Sequence, residues 1–223
     1  MPDDTTSGAR FRELTLGGFV DLLGSSEPVP GGGSASAIAA ALAASLVAMV
    51  AALSEGRPKY AAHATLHRVA GETGRELAGR FLELADEDAA AYAEFAAALK
   101  LPRATDAEQS ARRAALSAAA RAAADVPLAA VDACYELVAA AESLVGRSNA
   151  NAASDLDVAA LLGEAAARGA AANVLVNLPS VDDETYAGEA AAKVMQLLGD
   201  VEKLAAAVHE GVPSGQPRGP IPG

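Results

Sequence analysis

The chain has 223 residues, with 17 basic and 29 acidic side chains and a net charge of −12, which suits one domain or two small ones and argues against a nucleic-acid partner, whose phosphates call for clustered Lys and Arg. Hydrophobic residues make up 52% and aromatics only 4%, and 59 residues are Ala, the strongest helix former and a poor strand former, so a large sheet is excluded. The single cysteine, Cys134, excludes an intramolecular disulfide, no Cys/His cluster suggests a metal, and the acidic start Met1-Pro2-Asp3-Asp4 has no apolar core of a signal peptide. A soluble, cytoplasmic, all-α protein is the expectation.

Residues 1–10 and 211–223 are expected to be disordered, because the tail PSGQPRGPIPG from Pro213 is too rich in Pro and Gly to hold a helix. The folded domain then covers 11–210. A short helix is predicted over about Leu16 to Leu23, followed by the loop from Gly24 to Gly33. From Pro28 to Ser54 the chain carries no charge. Ala35 to Leu53 is long enough to cross a bilayer. Its Ala, Ser and Gly content, without a Trp or Tyr belt, fits better a helix buried at the centre of a bundle, and no membrane partner is expected.

Gly56-Arg57-Pro58 ends that helix, and a long one follows from about Tyr60 to Leu99, stopped at Lys100-Leu101-Pro102. Thr105 to Glu108 reads as a capping box, opening a helix to about Val145 that Pro127 must kink or break. Gly146 to Asn151 is the next break. A fifth helix spans about Ala153 to Leu175, and the last, capped by Ser180 to Asp183, ends near His209. Short connections between long helices imply an up-down bundle of about five long helices plus a short N-terminal one. So little side-chain bulk per residue leaves part of the core for a second subunit, so a homodimer is expected.

Four segments invite chemistry. Gly31-Gly32-Gly33-Ser34 opens a helix, where free N–H groups make an anion or carbonyl-oxygen site; a flexible hinge with Ser34 as N-cap is the equal alternative. It is neither a P-loop, lacking the Lys, nor a Rossmann turn, lacking the strand. His63 and His67 stand one turn apart without the Glu of a zincin, and read as two surface histidines. Asp86-Glu87-Asp88 reads as a solvated face, although Asp88 falls along an apolar stripe with Leu84 and Tyr92. Asn149, Asn151, Ser154 and Asp155 crowd one helix start, where a single cap suffices. Asp155 in a first turn would be held ionised by the helix end, though plain capping explains the group as well.

Taken in order, Pro30 to Ala37, Gly56 to Tyr60, Asp86-Glu87-Asp88-Ala89, Lys100-Leu101-Pro102, Val126-Pro127-Leu128, Asn149-Ala150-Asn151 with Ser154-Asp155, and Ala170 to Leu178 resemble the formiminotransferase-cyclodeaminase C-terminal family, which includes stand-alone methenyltetrahydrofolate cyclohydrolases. The resemblance covers roughly Phe11 to His209. It implies an all-helical, dimeric enzyme acting on a one-carbon unit carried by tetrahydrofolate, with no cofactor beyond that substrate. The two reactions are hydrolysis of 5,10-methenyltetrahydrofolate to 10-formyltetrahydrofolate, and closure of 5-formiminotetrahydrofolate with release of ammonia. The chain has no room for a separate formiminotransferase domain, which favours the cyclohydrolase; a non-catalytic folate-binding bundle is the rival of another class.

On that resemblance Asp155 is the first candidate for the base or cation partner, with Asp88 the second carboxylate. Gly31, Gly32, Gly33 and Ser34 would offer backbone donors, with Ser36 beside them. Asn149, Asn151 and Ser154 would read the pterin edge. Arg57 or Lys59 would hold the glutamate tail, and Arg168 and Asn173 would complete a dimer-spanning pocket. No His or Cys stands at a matched position, so nucleophilic catalysis is not expected.

Overall fold

A computed structural model describes residues 10–216; the expectations for 1–9 and 217–223 lie outside the described residues. Six α-helices follow in chain order: α1 (Leu16–Leu23), α2 (Gly32–Ala52), α3 (Ala64–Leu99), α4 (Asp106–Leu144), α5 (Ala153–Asn177) and α6 (Glu184–Ser214). No strand occurs among the described residues. The five long helices run alternately up and down, as the short connections require. α2 packs mainly on α3 and α5, α4 touches all four other long helices, and α6 covers α4 and α5.

Small residues set the spacing. A Cβ on Gly74 of α3 would come within 2.7 Å of the Ala44 carbonyl of α2, and one on Gly163 of α5 within 2.8 Å of Val138 of α4. The helices therefore approach more closely than side chains allow, and Ala40, Ala43, Ala44, Val47 and Val50 of α2 are buried completely. The uncharged run thus packs one side against protein and leaves Leu42 and Met49 exposed on the other. Three helices among the described residues are nevertheless long and apolar enough to cross a membrane by length and composition.

Several boundaries differ from the sequence reading. Residues Pro58–His63 form 3₁₀ turns, so α3 begins at Ala64. The capping box at Thr105 and Glu108 is complete, with reciprocal bonds. Pro127 does not break α4, which is continuous around it. Proline cannot donate to the carbonyl four residues back, and here Asn177 Nδ2 supplies the missing donor, 2.9 Å from the Ala123 oxygen.

α6 runs on to Ser214, past the end expected for the last helix near His209. Gly211 packs so tightly on Val145 that a Cβ would sit 2.6 Å from its Cγ1. Gly215, at φ 63°, closes the helix with its N–H on the Gly211 carbonyl. Pro213 sits in the last turn, where one lost hydrogen bond is tolerated.

His67 is buried rather than at the surface, correcting the reading of both histidines as exposed. Its Nε2 donates to the Arg147 carbonyl at 2.8 Å, and its ring meets those of Tyr60 and His63 edge-on. No cluster of metal-ligating side chains occurs among the described residues.

Candidate functional site

The antiparallel register of α2 and α3 brings the Gly31–Ser34 turn onto Asp88. Ser34 is fully buried, and its hydroxyl lies 2.8 Å from Asp88 Oδ2 and 3.1 Å from the Ala85 carbonyl. Gly31 is the N-cap, with no side chain capping the helix, so Ser34 is not the cap that the sequence allowed. It stands three residues further on and holds a carboxyl group instead. Gly33 explains itself sterically: a Cβ there would fall 2.2 Å from Asp88 Oδ1. Gly31 and Gly32 meet no such obstacle, their nearest neighbours standing at 3.8 Å.

Asp88 is half-buried, and burial raises its pKa above the ordinary 3.8, partly offset by hydrogen bonds from the Ser34 hydroxyl and backbone N–H. It borders a cavity of about 300 Å³ also lined by Gly31, Gly32, Gly33, Tyr92, Phe95, Asn173 and Asn177. One wall is therefore aromatic and the opposite one amide. Asn173 donates from Nδ2 to the Gly169 carbonyl and Asn177 to the Ala123 and Asn173 carbonyls, all at 2.8–2.9 Å. Those bonds fix both amides and leave each side-chain oxygen free to accept.

The other predicted residues gather at the far end of α2. Asn149 is buried and turns its Oδ1 to the Asn151 N–H, capping the 3₁₀ turn Ala150–Ala152, while its own N–H donates to Ser54. Tyr60 accepts from the Ala150 N–H at 3.1 Å, which lowers its pKa. Lys59, Tyr60 and Ser148 line a second cavity there, whereas Arg57, Asn151, Ser154 and Asp155 do not line it. α2 spans its 21 residues between the two groups, a rise of about 30 Å. Within one chain, Asp88 and Asp155 cannot share a substrate.

Two further candidates are engaged elsewhere. The Ser36 hydroxyl donates to the Gly32 carbonyl at 2.7 Å and packs on Gly169. Arg168 pairs with Glu164 and with Glu202 of α6 at 2.9–3.0 Å. Conversely, Tyr92, Phe95 and Asn177 line the cavity and were not among the predicted residues. Tyr92 and Phe95 lie four and seven residues after Asp88, and Asn177 four after Asn173, so helical periodicity carried the signal.

Comparison with known proteins follows the same lines. The formiminotransferase-cyclodeaminase family model matches residues 15–196. A methenyltetrahydrofolate cyclohydrolase of Methylorubrum extorquens is 38% identical, over 90% of this chain and 96% of that protein. The formimidoyltransferase-cyclodeaminase of Mus musculus is 33% identical over 88% of this chain but only 36% of its own length. The crystal structure of a formiminotetrahydrofolate cyclodeaminase from Thermotoga maritima superposes with a TM-score of 0.83, at 26% identity, covering 91% of this chain and 98% of that one.

Proposed function

The chain belongs to the formiminotransferase-cyclodeaminase family, and on that premise we propose that it hydrolyses 5,10-methenyltetrahydrofolate to 10-formyltetrahydrofolate. The observation that carries this is the 38% identity over 96% of a relative named for that reaction. The site supports it. The methenyl carbon, held between N5 and N10 as an amidinium cation, is already electrophilic and is drawn to a carboxylate. Asp88 takes a proton from the attacking water as the C–O bond forms. It then returns that proton to N5 as the C–N5 bond breaks, while the hydroxyl proton leaves to solvent and the formyl group stays on N10. A carboxyl whose pKa is raised by burial suits both transfers. The amides of Gly32 and Gly33 lie beside the carbon's developing oxygen, and Tyr92 and Phe95 take the pterin or aminobenzoyl ring. No cofactor beyond the folate is needed.

A homodimer belongs to the same reading. The outer faces of α2 and α5 carry Leu42, Met49, Val158 and Leu161, each 38–54% exposed, and the two helices pack side by side in opposite directions. A second copy across this face, related by a two-fold axis, would cover the stripe. With that axis perpendicular to the helices, the partner's Asp155 would also lie toward the cavity of Asp88. Covering the stripe with protein rather than lipid accords with a cytoplasmic enzyme.

The test follows loss of the methenyl chromophore with the purified chain against buffer alone. Acceleration is expected. The second reading, cyclodeamination, is favoured by the match to the Thermotoga structure, and ammonia release from 5-formiminotetrahydrofolate without methenyl hydrolysis would replace the first reading with it. Inactivity on both would leave a binding protein.

A further inference from the structure

Outside the cavity of Asp88, the strongest concentration of unpaired charge lies where α3 ends and α4 begins. Arg103, Arg112 and Arg113 line one hollow with Gln109. Arg112 and Arg113 also line a second, with Phe95, Leu99 and Ser117. Phe95 is in turn a wall of the Asp88 cavity, so the three hollows share walls in series.

The three guanidiniums form no ion pair among the described residues, whereas Arg68, Arg80, Arg121 and Arg168 each have a carboxylate partner. Asp106 and Glu108 stand in the first turn of α4, between Arg103 and Arg112 in the chain, but Glu108 is taken up by the Ala104 and Thr105 N–H groups and neither acid pairs with the three guanidiniums, whose gathering costs mutual repulsion. Arg112 is tethered through Nη2 to the Leu99 carbonyl at 3.2 Å, and its Nε is buried with no acceptor. The acidic residue on this lining is Asp182, whose backbone N–H donates to Ser117.

We infer that Arg103, Arg112 and Arg113 form an anion subsite for the glutamate-tail carboxylates of the folate in the Asp88 cavity. The inference rests on the folate reading above. From Asp88 to Leu99, α3 rises about 16 Å, the scale of an extended folate with its aminobenzoyl ring against Phe95. Planar guanidiniums match carboxylates bidentately. The tail role considered for Arg57 or Lys59 lies at the opposite end of the same chain.

The experiment compares KM for 5,10-methenyltetrahydrofolate carrying one and four glutamates, in the full chain and in Arg103→Gln/Arg113→Gln, both positions being exposed. The native chain should favour the tetraglutamate roughly tenfold. The double variant should lose that preference, and added salt should erode it. Lys193→Gln/Lys203→Gln, the same loss of two exposed cations but on α6, should keep it. Equal KM values in the native chain, or a preference that survives in the double variant, overturns the subsite. If neither substrate turns over, the hydrolase reading fails separately. Calorimetry with p-aminobenzoyl-tetraglutamate then decides: salt-sensitive binding lost in the double variant supports the subsite, and no binding overturns it.

Discussion

The Ser34 hydroxyl lies 2.8 Å from Asp88 Oδ2 and 3.1 Å from the Ala85 carbonyl, and it has one proton for the two acceptors. When Asp88 is ionised the hydroxyl donates its hydrogen bond to the carboxylate. When Asp88 is protonated, the acid can donate to Ser34 while Ser34 donates to Ala85. The pair accommodates both states of Asp88 with every group bonded, as a carboxyl that takes and returns a proton requires.

Asp88→Asn should therefore lower kcat by about 10²–10⁴ with helicity intact, checked by chromophore loss and circular dichroism. Stability should move the other way. The folded pKa of Asp88 is raised from 3.8, so its stabilising contribution is complete below that value and is lost as pH rises through the raised one. The amide mimics the protonated acid. The variant should match or exceed the native Tm at pH 8, with the gap closing toward pH 4; a gap that widens on acidification would contradict the burial account.

Gly33→Ala should abolish most turnover while Gly32→Ala is tolerated. The new Cβ at 33 would fall 2.2 Å from Asp88 Oδ1, but at 32 its nearest neighbour is Asn173 Nδ2 at 3.8 Å. Since Asp88 must swing away to admit the methyl group, the loss should appear in kcat more than in KM. Equal effects at the two positions would mean that the glycines serve loop flexibility.

Asn177 and Pro127 should be thermodynamically coupled. Asn177→Ala leaves the Ala123 carbonyl without its donor and should cost about 1–3 kcal/mol, read from denaturant unfolding. Pro127→Ala restores a backbone N–H to that carbonyl, so Asn177→Ala should cost less in its presence. A double-mutant cycle with no coupling would refute the repair role.

Much of the bundle was legible because its punctuation is local. Gly24 to Gly33, Gly56-Arg57-Pro58, Lys100-Leu101-Pro102 and the Thr105/Glu108 box each mark a boundary without reference to anything distant. The site was legible only in pieces. Asp88 reads as part of an acidic run until the α2–α3 register, set where Gly74 meets Ala44, lays it on Gly33. His67 looked exposed because its acceptor is the Arg147 carbonyl, far along the chain. Pro127 looked like a helix breaker because its remedy, Asn177, sits on another helix. Asp155 and Asp88 looked like one site because a sequence does not show that α2 holds their two groups apart.

That separation makes the dimer testable through catalysis. If each site draws Asp88 from one subunit and the partner's Asp155 from the other, Asp88→Asn and Asp155→Asn homodimers should each be nearly inactive. On mixing and subunit exchange, half of the chains pair as heterodimers by statistics. Each heterodimer has one site with both carboxylates intact and one with neither, so activity should recover to roughly a quarter of native. Light scattering should give twice the chain mass for the native protein. Full activity of Asp155→Asn alone would remove that carboxylate from the mechanism and leave Asp88 as its only acid–base group. Inactive single variants with no recovery on mixing, once exchange is verified by mass, would instead give Asp155 a structural role at the start of α5.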